Sequence, residues 1–146
     1  MEQKGNNLAA GSGENCTHLV QFPARLDAVP SAMAFVAQAL QQDGLAPGPV
    51  ARAELILEEL FRNSVLHGYG GDSEHAVWVG VAAGRLYFQD AAAPFDPLTE
   101  GPPAPDPATP IEDQRVGGIG LLLIRQLGSA IQYDYAEGRN RIVFSI

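Results

Sequence analysis

The chain has 146 residues, a formal net charge of −8 and one cysteine, which bounds it to one domain with one sizeable core. An acidic balance is the wrong footprint for nucleic acid or an anionic membrane, and a lone thiol excludes both a disulfide framework and thiolate-rich metal clusters. No apolar run reaches the roughly 18 residues of a membrane span, and the polar residues 1–17 lack the apolar core of a secretory signal, so a cytoplasmic protein is expected.

Residues 1–16, rich in Gly, Asn and Ser, read as a disordered N-terminal segment, with the folded domain over 17–146. Alternation over 17–23 predicts a short strand stopped by Pro23. Helical spacing over 26–42, with Pro30 near the start and Asp43-Gly44 as the stop, predicts a first helix. Pro47-Gly48-Pro49 reads as a break before a second helix over 50–67, ended by Gly68-Tyr69-Gly70-Gly71. In that helix Glu59, Asn63 and His67 stand at successive four-residue steps, and at about 100° per residue they share one arc. The arc borders an apolar one made by Ala53, Ile56, Leu57, Leu60 and Phe61, whereas Glu54, Glu58 and Arg62 project towards water or a partner. Polar groups beside a core cost about 1–3 kcal/mol each unless satisfied, so the stripe is either an ordinary helix border or a ligand or metal site.

Residues 76–81 and 85–90 predict a hairpin turning at Ala83-Gly84. Asp90, at the strand end, can accept a hydrogen bond from an exocyclic amine or simply start a turn; Asp96, between Phe95 and Pro97, reads as turn chemistry. Most of the chain's 11 prolines gather over 94–114, where they preclude helix or sheet interior and predict a lid or binding loop. Gly117-Gly118-Ile119-Gly120 then runs into an apolar helix over 121–127. Such a junction offers free N–H groups and a positive dipole end to phosphate, although glycine also serves any tight turn. No Gly-Lys-Ser/Thr follows, and no strand leads in, so neither a Walker A loop nor a Rossmann fingerprint fits. A last hairpin is predicted from 131–135 and 141–146 around Glu137-Gly138-Arg139-Asn140. About five strands and three helices in this order predict an α/β (α+β) sandwich, helices on one face of a mixed, mostly antiparallel sheet.

Taken in order, the helix with Glu59-x-x-x-Asn63-x-x-x-His67-Gly68-Tyr69, the strand ending in Asp90, the lid and Gly117-Gly118-Ile119-Gly120-Leu121 resemble the Bergerat-fold (GHKL) ATPases. The closer resemblance is to the anti-sigma-factor serine kinases of the RsbW type, over 51–146 and most specifically over 59–69. It implies ATP/ADP and Mg2+ as cofactors, with Asn63 on the metal and Glu59 as the base that orients or deprotonates an attacking hydroxyl. It further implies that Asp90 reads the adenine amine, that Gly118, Gly120 and Leu121 hold phosphate, and that His67 lines the same pocket. Ala92 stands where the family commonly has glycine, which implies a tighter or altered base pocket, and Arg115 is the nearest candidate to reach the terminal phosphate. The implied function is an ATP- and Mg2+-dependent protein serine/threonine kinase that serves as an anti-sigma factor. It would phosphorylate a STAS-domain anti-anti-sigma protein, bind a sigma factor and form a homodimer. The alternative is an ATP-binding module that clamps a protein partner without phosphorylating it, and Glu59 discriminates the two, because a pure binder has no need of that carboxylate.

Overall fold

The structure is a computed structural model that describes residues 18–99, 124, 126 and 131–146. Its strands are β1 (Val20–Pro23), β2 (Ala76–Ala82), β3 (Arg85–Asp90), β4 (Ile131–Ala136) and β5 (Arg139–Ser145). They form one sheet in the order β1-β2-β3-β5-β4. Every neighbouring pair among the described strands is antiparallel, in keeping with the mostly antiparallel sheet that the sequence predicts. Both hairpins turn through two residues of positive φ, Ala83 (50°) with Gly84 (73°) and Glu137 (56°) with Gly138 (75°). That geometry follows the right-handed twist of the flanking strands. The second turn is therefore shorter than the four residues read from sequence, and Arg139 and Asn140 belong to β5.

Two helices cover one face: α1 (Val29–Gln42), led by a 3-10 turn over Leu26–Ala28, and α2 (Pro47–Asn63). α2 starts before the predicted Val50, because the proline read as a break sits in the first turn, where the N–H it lacks has no partner in any case. Strand alternation sends Val77, Val79, Leu86, Phe88, Ile142 and Phe144 into a core shared with Val36 and Leu40 of α1 and with Ile56, Leu57 and Phe61 of α2. Each such side chain contributes about 1.5–3 kcal/mol on full burial. Phe61 anchors α2 to the sheet, its ring centroid 6.4 Å from that of Phe22 on β1 and 6.3 Å from that of Phe88 on β3.

β3 and β4 both run antiparallel to β5, so they point the same way and the chain between them must travel back along the sheet. Ile124 and Gln126 in that connection are helical, and Ile124 is fully buried in the same core. The rest of the predicted third helix lies outside the described residues. Among the described residues no helix is long and apolar enough to cross a membrane.

Candidate functional site

Three chain segments converge at one end of the sheet: the last turn of α2, the end of β3 and the start of β5. Alternation along β3 puts Asp90 on the helix-covered face with Leu86 and Phe88, opposite Val77 of β2 and Asn140 of β5. Its buried carboxylate accepts at Oδ2 from the Ser64 hydroxyl (2.5 Å), and at Oδ1 from the Asn140 side-chain amide (2.8 Å) and the Ala92 N–H (3.1 Å). The bond to Ala92 is the turn that a strand-ending aspartate makes; the other two hold the carboxylate inside the fold. The turn reading of Asp90 therefore describes part of its surroundings. Asp96 does turn chemistry, its Oδ1 accepting from the Leu98 N–H at 2.8 Å.

Ser64 reaches Asp90 because the helix changes pitch. The predicted α-helix through His67 instead ends at Asn63, and Ser64–Gly68 forms a π-helical turn closed by the Tyr69 N–H on the Ser64 carbonyl at 2.8 Å. Such wide turns recur at functional sites. The change breaks the four-residue rhythm: Glu59 and Asn63 are half-buried, whereas His67 is exposed. Tyr69 then ties the turn to the sheet. Its hydroxyl donates to the Ala76 carbonyl (2.8 Å) and accepts from the Ala91 N–H (2.7 Å), and its ring stacks on His75 at 4.9 Å. Burial raises the Tyr69 pKa above its ordinary value of 10.0, which keeps the hydroxyl a donor. Ala92 packs against the same turn: a Cβ placed on Gly68 would lie 3.0 Å from the Ala92 Cβ. The methyl that replaces the family's common glycine thus meets a residue with no side chain.

One turn back along α2 the chemistry is different. Glu59 Oε2 and Asn63 Nδ2 are buried and make no hydrogen bond among the described residues. One accepts and the other donates, on successive turns of one helix, yet they do not bond each other. A ligand hydroxyl between them would relieve both, donating to Glu59 and accepting from Asn63, each worth about 1–3 kcal/mol. Burial raises the Glu59 pKa above 4.5; Arg62 opposes the rise, Glu58 adds to it and His67 opposes it. The described residues contain no cluster of three His, Cys, Asp or Glu. A divalent cation here would depend on the Asn63 amide oxygen together with water and ligand oxygens, which is a magnesium pattern.

The structure thus gathers Glu59 and Asn63 on one stretch of helix and Asp90 with Ala92 beside its end. Arg115, Gly118, Gly120 and Leu121 lie outside the described residues. Sequence reading passed over three members of the site, Ser64, Tyr69 and Asn140. Ser64 and Asn140 meet Asp90 across 26 and 50 residues of chain, which no local spacing reveals; Tyr69 is visible in the helix stop and at the end of the 59–69 motif, but with no role attached.

A family profile described as the histidine kinase-like ATPase domain matches residues 22–146, which takes in the sheet from the second half of β1 onward, both helices and every candidate site residue. No curated protein matches the chain.

Proposed function

The chain belongs to the histidine kinase-like ATPase domain family, an ATP-binding fold of the GHKL type, and from that premise we propose that it is an ATP- and Mg2+-dependent protein serine/threonine kinase. In this reading it acts as an anti-sigma factor and phosphorylates a STAS-type anti-anti-sigma protein. The observation that carries the kinase reading is the unpartnered, buried oxygen of Glu59. A site that only held nucleotide would gain nothing from a desolvated carboxylate there, whereas a raised pKa suits a group that must take a proton near neutral pH. The partners rest on the resemblance of the 59–69 run to the anti-sigma kinases.

In the proposed transfer the serine or threonine hydroxyl oxygen of the partner bonds to the γ-phosphorus. The bond from that phosphorus to the β–γ bridging oxygen breaks, ADP leaves with the electron pair, and the hydroxyl proton passes to the Glu59 carboxylate. Asp90 accepts from the adenine amine, and the Asn63 amide lies one turn from Glu59 to position the phosphate end. Magnesium, when bound through the Asn63 amide oxygen, neutralises phosphate charge. By the same resemblance Gly118, Gly120 and Leu121 hold phosphate, Arg115 is the nearest candidate for the terminal phosphate, and His67 lines the same pocket.

The test is γ-phosphate transfer to a purified STAS-domain protein, followed by mass spectrometry, with ATP affinity measured in parallel. Glu59→Ala is expected to keep ATP binding within a few-fold and to lower transfer about 10²–10⁴-fold. Unchanged transfer in that variant overturns the assignment. ATP binding by the native chain without transfer to any STAS-domain protein favours the clamping module instead.

A further inference from the structure

Asn140 has no role in the reaction just described, yet it is buried at the centre of the corner that holds Asp90. Its amide Nδ2 donates to Asp90 Oδ1 (2.8 Å) and to the backbone carbonyls of Ala93 (3.0 Å) and Ala92 (3.2 Å). Its Oδ1 accepts from the Tyr133 hydroxyl (2.6 Å) and the Phe95 N–H (2.9 Å). Which end of an amide is nitrogen is settled by obligate partners. A backbone N–H can only donate and a carbonyl can only accept, so Phe95 fixes the oxygen end, while Ala92 and Ala93 fix the nitrogen end. The N–H that faces Asp90 is therefore a donor in every arrangement of the site.

The consequence falls on Asp90. Oδ1 receives two fixed donors, Asn140 and the Ala92 N–H, and is held as an acceptor. Among the described residues Oδ2 receives only Ser64 and keeps lone-pair capacity on the side of Gly68, whose added Cβ would stand 3.9 Å from it. We infer that Asn140 is a positioning residue for base selectivity: by pinning Oδ1 and the 92–95 backbone, it leaves Asp90 Oδ2 to accept from a purine 6-amino group. A purine with a 6-oxo group would set oxygen against oxygen there. The same side chain grips the backbone of Ala92, Ala93 and Phe95, so it fixes the start of the proline-rich segment together with the base reader.

This inference rests on the nucleotide reading of the same site. Its test compares ATP with inosine triphosphate, which carries a 6-oxo group in place of the 6-amine and with it a proton on N1, by titration calorimetry on the full chain and on Asn140→Ala and Asn140→Asp. The native chain is expected to favour ATP by tenfold or more, about 1.4 kcal/mol. Asn140→Ala should weaken ATP about tenfold and inosine triphosphate less than about twofold, so that the preference collapses. Asn140→Asp keeps the shape and removes the donor, and should lose the preference at least as fully while circular dichroism reports a folded chain. Equal weakening of both nucleotides would mean a merely structural residue and overturns the inference, as does an unchanged preference. A native chain that binds neither nucleotide defeats the ATP reading itself, a separate and recognisable failure.

Discussion

Two groups of polar side chains lie one helical turn apart at the end of α2, and they are built on opposite principles. Around Asp90 every described partner is in place: Ser64, Asn140 and the Ala92 N–H all donate to it, and Asn140 and Tyr69 are themselves fully engaged. Around Glu59 and Asn63 a buried acceptor and a buried donor have no partner among the described residues. A buried network whose donors are already engaged holds one geometry before any ligand arrives, with Asp90 Oδ2 left able to accept once more, as a reader of a flat base requires. An unsaturated pair waits for atoms that the other described residues do not supply, as a reaction centre does. The helix changes pitch between the two, so one element serves both through different turns.

The comparison breaks most visibly at Asp90. Replacing it with alanine takes away the acceptor of the Ser64 hydroxyl and of the Ala92 N–H and one of the three acceptors of the Asn140 amide, and hydrogen bonds to a charged group are worth about 1.5–3 kcal/mol each. Asp90→Ala is expected to cost about 3 kcal/mol in urea unfolding and to abolish ATP binding. A loss below about 1 kcal/mol would show that the corner does not hold the fold. Tyr69→Phe comes next: it removes the hydroxyl that bridges Ala76 and Ala91, and should cost about 1–2 kcal/mol. It should leave nucleotide affinity reduced only in proportion to the displaced Ala91.

The sheet was legible because its strands alternate and its turns carry Gly at fixed places; β3 falls over 85–90 as the sequence predicts. The Glu59–Asn63 pair was legible for a similar reason, since four-residue spacing survives in a regular α-helix. His67 was placed in the same arc because nothing local announced the π-helical turn, which forms where Ser64 is drawn to Asp90 and Tyr69 to the strand ends. Asn140 was read as a turn residue from the Glu137-Gly138 signal beside it. Its role exists only in register, opposite Asp90 across the β3–β5 pair, and register between strands 50 residues apart is a property of the folded sheet.

A smaller effect sharpens the packing side of the comparison. Gly68 has an ordinary negative φ, so only space restrains it, and an added methyl would sit 3.0 Å from the Ala92 Cβ. Gly68→Ala should therefore cost about 1 kcal/mol through a forced shift of the 91–93 backbone. Gly68→Ala combined with Ala92→Gly should recover most of it, because the two residues share one contact. Additive losses in the double variant would place the strain elsewhere.

The smallest effect tests the unsaturated pair by pH. The Glu59 carboxyl has a folded-state pKa above the ordinary 4.5, chiefly through burial, so the folded chain binds that proton more tightly than the unfolded one. The resulting stabilisation is fully present below the unfolded value and is lost as pH rises through the raised folded value. Glu59→Gln has no proton to lose. Its melting temperature, relative to that of the native chain, should rise with pH across this window, level off above it, and converge with the native value in acid. The increment is modest because half of the side chain still reaches water and Arg62 offsets part of the cost. A difference independent of pH would mean that Glu59 has found a partner, and the contrast with Asp90 would then fail at its open end.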